Sequence, residues 1–190
     1  MKQAIRQGLR VVLLAASLAG LAVAQNVAAS QKPPAPAIAL RPVADVEPAA
    51  LSGMLDAQNQ VRARLGLQPL VWSAALTESA GALARTASEG ACTLGTADKA
   101  MRGRDVSLHW AAAIRRFGGE DAAQELSAPY VVSRWREGRN GYDAAKGACR
   151  DKSLECQAYV RMIAAANRQV GCARNICPGK AQVWLCEYRK

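Results

Sequence analysis

The sequence predicts an α+β domain stabilised by disulfides, and three observations carry that prediction. Apolar residues recur at helical spacing through the first part of the chain and alternate in its last third. Six cysteines (92, 149, 156, 172, 177 and 186) follow the export signal, five of them in the last 42 residues. The first 24 residues read as an export signal, with a basic start at Lys2, Arg6 and Arg10, an apolar run from Val11 to Ala22, and a small-x-small cut at Ala22-Val23-Ala24. An even cysteine count behind an export signal implies disulfides. Helices followed by a cysteine-rich hairpin imply α+β.

The domain boundaries follow from composition. Residues 1–24 are the expected signal peptide, 25–48 a linker, and 49–190 the folded domain. The linker holds five of the eight prolines (33, 34, 36, 42 and 48) among mostly small residues, so it buries little apolar surface. No lipid-carrying cysteine stands at the cut and no second apolar run reaches spanning length, so the mature chain is expected to carry no transmembrane anchor.

Each element has its own signal. From Leu51 to Leu65, Leu51, Met54, Leu55, Val61, Arg62 and Leu65 fall near one helical face, and Gly66 ends the helix. Pro69-Leu70 turns the chain towards Trp72. Ser73 is a candidate N-cap for a second helix, in which Leu76, Ala80, Leu83, Ala84 and Ala87 recur until Gly90. A third helix runs through Val131, Val132 and Trp135, with Pro129 in its first turn and Asn140-Gly141 as its stop. Gln182 to Tyr188 alternates as a strand, with Val183, Leu185 and Glu187 opposite Trp184, Cys186 and Tyr188. Pro178-Gly179 turns into it, and Val170 to Arg174 is a short partner strand.

Charge narrows the partners. Removing the signal's three basic residues from 25 Lys plus Arg leaves 22 against 15 Asp plus Glu, a mature formal charge of +7. A basic exported chain adheres to anionic lipid or cell-wall polymer. Nucleic acid is not expected, because no basic run is interleaved with aromatic residues. Zinc is not expected either, since there is no C-x-x-C pair and His109 is the single histidine. A Ser-His-Asp or Cys-His arrangement would have to use that same histidine, and no G-x-S-x-G elbow or phosphate loop is present. Paired carboxylates among Glu120, Asp121, Glu125 and Glu137 have no motif behind them.

Two stretches resemble a known family. Asn59 to Ala80 reads N-x-x-R-x-x-x-G-x-x-P-L-x-W-x-x-x-L-x-x-x-A, and Val170 to Tyr188 reads G-C-A, a cysteine five residues on, then V-W-L-C-E-Y. Together they resemble the CAP superfamily of cysteine-rich secretory, antigen 5 and pathogenesis-related 1 proteins, or SCP domains. The resemblance implies an α-β-α sandwich with a central antiparallel sheet. Of the fifteen pairings six cysteines allow, it implies Cys92 with Cys177, Cys149 with Cys156, and Cys172 with Cys186. It also implies a cavity of two histidines and two glutamates that holds a divalent cation in several members.

This chain departs from that cavity. The run matching C-G-H-Y is Cys156-Gln157-Ala158-Tyr159, so Ala158 stands at one histidine position. The glutamate three residues beyond the third helix's tryptophan is replaced by Gly138; Glu137 is one residue early, turned by roughly 100° on a helix. The other histidine position is Thr96, counting from Cys92, or His109 across a longer loop. The remaining glutamate is Glu120 or Glu125. The candidate cavity residues are therefore His109, Glu120, Glu125 and Glu137, with Thr96, Gly138 and Ala158 as lost positions and no catalytic residue, metal or cofactor expected. The reading is a secreted or extracellular binding module, periplasmic in a Gram-negative cell, with lipid, sterol or an anionic envelope surface as partner. The alternative is a divalent-metal-dependent hydrolase with an atypical site around His109. The sequence does not set an oligomeric state.

Overall fold

The computed structural model describes residues 45–90 and 92–190. The expected signal peptide and all but the last four residues of the linker lie outside the described residues. A short 3-10 turn at Ala49–Leu51 leads into α1 (Met54–Arg64), β1 (Val71–Trp72), α2 (Ala74–Ala87) and α3 (Leu94–Met101). There follow β2 (Val106–Ala111), a small hairpin of β3 (Ile114–Arg115) and β4 (Asp121–Ala122), and α4 (Ala128–Glu137) with a 3-10 turn at Gly138–Gly141. A second small hairpin of β5 (Tyr142–Asp143) and β6 (Ala148–Cys149) precedes α5 (Leu154–Met162), β7 (Gln169–Ile176) and β8 (Gln182–Arg189).

The first helix begins later than its apolar pattern suggests. Gly53, at φ +86°, breaks the chain after Leu51. The carboxylate of Glu47 then accepts from Gly53 N at 2.9 Å and Leu55 N at 2.7 Å, so packing starts inside the proline-rich stretch. Leu65 falls past the helix and is exposed. In α2 all five apolar residues of the pattern are buried, and Ser73 Oγ accepts from Leu76 N as the cap. α4 ends at Glu137, and its continuation to Gly141 is the tighter 3-10 form.

The central sheet runs β1-β7-β8-β2, antiparallel except where β1 lies parallel to β7. Both strands of the last hairpin are eight residues long, so β7 extends beyond the short partner that the sequence suggests. The alternation in β8 separates two cores. Trp184, Cys186 and Tyr188 pack with residues of α1, α4 and α5, while Val183 and Leu185 pack with residues of α2 and α3. Helical layers thus cover both faces, which makes the α-β-α sandwich. At Gly171 an added Cβ would lie 2.2 Å from Thr77 N, so α2 rests directly on the β7 backbone.

The N-x-x-R motif builds the first layer. The Asn59 side chain donates to Leu70 O at 2.9 Å and accepts from Leu70 N at 2.7 Å, fixing the Pro69-Leu70 turn. Arg62 is fully buried and donates to the carbonyls of Gln68, Met162, Ala164 and Asn167, tying α1 to the end of α5. Burial lowers its pKa, with Arg168 adding to the effect. Opposite the motif, the buried Tyr188 hydroxyl donates to Gln58 Oε1 at 2.9 Å, and burial raises its pKa strongly.

All six cysteines are paired, Cys92 with Cys177, Cys149 with Cys156 and Cys172 with Cys186, as the resemblance implies. Cys172–Cys186 joins register partners on β7 and β8. Cys92–Cys177 ties the approach to α3 to the turn between those strands.

Candidate functional site

β2 is an edge strand, and α3 and α5 approach one another along its free side. Three adjoining cavities open there, with Leu154, the first residue of α5, bordering all of them. The outermost, about 680 Å³, lies between α3 and α5 beside Leu94, Asp98, Arg102, Asp151, Lys152 and Gln157. An inner recess of about 150 Å³ has Met101, Val106, Leu108 and Ala158 among its walls, with Arg102 and Arg161 alongside. A third, of about 170 Å³, holds His109, Arg134 and Glu155 beside Trp110 and Trp135.

Ala158 is buried in the core shared by α1, α4 and α5 and borders the inner recess, whose lining also includes Asp98, Met101, Leu108 and Gln157. Its carbonyl accepts from Ser107 Oγ at 2.9 Å, which ties α5 to β2. Gly138 is buried because α4 meets the first turn of α5 there: a Cβ would lie 2.1 Å from the Glu155 carbonyl oxygen. Thr96 is exposed and closes a capping box with Thr93, each side chain accepting from the other's backbone N–H. Each position is used by the fold.

His109 sits in the middle of β2, opposite Trp184, with Tyr130 edge-on at 6.5 Å between ring centroids. Desolvation first, and then the Arg134 guanidinium, lower its pKa; Glu155 opposes them. The imidazole is therefore neutral at pH 7 and able to act as donor or acceptor. Glu137 is exposed and pairs with Arg134. Glu120 and Glu125 are exposed and line none of the three cavities. The structure thus brings one of the four candidate residues, His109, into the cleft.

Its companions Arg134 and Glu155 were not singled out in the sequence. A signal for Glu155 exists: Ser153 caps α5 by accepting from Cys156 N, and an acidic residue follows in the first turn, a common helix start. Nothing in the local pattern points that carboxylate at His109.

Residues 55–188 match the profile of CAP, the cysteine-rich secretory protein family. The chain belongs to the CAP family. One solved structure shows the same fold: hookworm platelet inhibitor superposes with a TM-score of 0.55 at 14% identity, covering 77% of this chain and 71% of that one. Schistosoma mansoni venom allergen-like protein 4 gives 0.48 at 15% identity over 76% of this chain and 92% of its own. No curated protein sequence matches significantly.

Membership in the CAP family raises the question of a cation. The donor set does not fit one: Ala158 presents a methyl group, Gly138 has no space for a side chain, and Thr96 is held in a cap. Among the described residues no three His, Cys, Asp or Glu side chains converge. Two imidazoles and two carboxylates are what such a site would need to hold zinc or to exchange protons as a pair.

Proposed function

We propose that this CAP domain is an exported binding module that adheres to anionic surfaces, lipid or cell-envelope polymer, and does not act as a hydrolase. The observation that carries the reading is at one lost histidine position, where Ala158 brings no ligating group to the wall of the inner recess. Charge supports it. Arg62 is the one Lys or Arg buried among the described residues, and only four ion pairs draw on the remaining bases. The basic excess is therefore presented to solvent.

Attraction of that kind is screened by salt, whose Debye length falls from about 10 Å at 0.1 M to about 3 Å at 1 M. Co-sedimentation with phosphatidylglycerol vesicles and with cell-wall polymer should therefore weaken several-fold between those two concentrations. A His109→Ala variant should bind like the wild type. Binding that survives high salt and disappears in the His109 variant would place recognition in the cleft and favour the atypical-hydrolase alternative.

A further inference from the structure

The β3–β4 hairpin stands outside the cleft. Its turn is closed by Gly119 N donating to Arg116 O at 2.9 Å and Arg116 N donating to Glu120 O at 2.8 Å. Phe117, the single phenylalanine of the chain, lies on this turn and is fully exposed. Ile114, at the hairpin's base, is partly exposed, at 43%. Arg115 is paired with Asp121 at 3.2 Å, while Arg116 has no acidic partner among the described residues. A phenyl ring exposed to this degree contributes no burial to the fold, yet the backbone beneath it is fixed by two turn hydrogen bonds.

We infer that the hairpin tip is a membrane-insertion element, with Phe117 entering the headgroup–acyl boundary of an anionic phospholipid bilayer and the Arg115 and Arg116 guanidinium groups lying at the phosphate level. The inference rests on the reading of the chain as a binder of anionic surfaces and names the lipid source. A bilayer suits this tip because a lone ring flanked by Arg116 and Gly118-Gly119 has no apolar walls beside it to complement a protein pocket, and an interface of lipid needs none. The charge complementarity comes from the whole chain: the hairpin's two arginines are balanced by Glu120 and Asp121, whereas the exposed basic excess of the domain favours anionic headgroups. The two contributions therefore separate, long-range charge being sensitive to salt and Phe117 insertion resistant to it.

The test compares the wild type with Phe117→Ala and Phe117→Trp on phosphatidylglycerol/phosphatidylcholine vesicles and on pure phosphatidylcholine vesicles, at low and high salt. Because the ring is exposed, all three proteins should melt together. Phe117→Ala should lose about tenfold in partitioning at both salt concentrations, equivalent to about 1.4 kcal/mol. Phe117→Trp should restore binding, and its fluorescence should shift to the blue on adding vesicles, beyond any shift in the wild type. Equal vesicle binding by Phe117→Ala and the wild type overturns the inference and leaves surface adhesion standing. If the variant loses a protein ligand but keeps its lipid binding, the tip is a protein contact and the inference is again overturned. A wild type that binds neither vesicle removes both this inference and the lipid arm of the functional reading.

Discussion

Arg62 and Arg102 both stand at helix C-termini, one closing α1 and the other following α3, and their surroundings differ in almost every respect. Arg62 is wholly buried and gives hydrogen bonds to four carbonyls on two segments distant in sequence. Arg102 is 74% exposed and reaches Asp98 only at 3.9 Å, on the rim of the cleft. The contrast extends to the regions around them. On the α1 side a change of side chain leaves buried polar groups without partners, so few alternatives are tolerated. Along the cleft rim, side chains such as Arg102 and Thr96 face water, so a change there disturbs few buried partners.

The largest effect that this comparison predicts is at Arg62. Arg62→Ala strands four carbonyls, some of them in the core, and should destabilise the domain by at least about 3 kcal/mol. Denaturant melts of the oxidised protein should show this, or the variant should fail to accumulate. A loss under 1 kcal/mol, as is usual for an exposed arginine, would break the contrast. The smallest effect is expected at Thr96. Thr96→Ala removes one half of an exposed capping box and should cost about 0.5–1 kcal/mol, readable in the same melts. A cost of several kcal/mol there would mean that the α3 rim is as constrained as the α1 side.

This difference also explains what the sequence made legible. The N-x-x-R motif of Asn59 and Arg62 and the β8 alternation are legible because backbone hydrogen bonding and close packing restrict those positions to few residue types. The buried face of α2 is complete in the pattern for the same reason. The start of α1 at Met54 was not legible, because it depends on Gly53 and on Glu47 reaching across from the linker. α3, β2 and α5, which frame the cleft, are absent from the sequence reading. α3 has eight residues and a threonine cap and shows no clean period, whereas β2 does alternate, Val106-Ser107-Leu108-His109-Trp110, a strand signal left unused. Glu120 and Glu125 are candidates only through the family resemblance, and the β3–β4 hairpin and the segment after it carry them to the surface. Arg134 and Glu155 reach His109 from two helices that only the tertiary fold brings together.

The most direct test of the central claim, that the cleft has lost its ligating chemistry while the scaffold has been kept, is the melting temperature with and without divalent metal. A site that held Zn²⁺ at a hundredfold excess over its Kd would stabilise the fold by roughly 2.7 kcal/mol, enough to move Tm by several degrees. Tm should stay the same after exhaustive chelation and after adding back Zn²⁺ or Mg²⁺. A clear fall on chelation, reversed by one of these metals, would contradict it and return His109, Glu155 and their neighbours to the role of ligands.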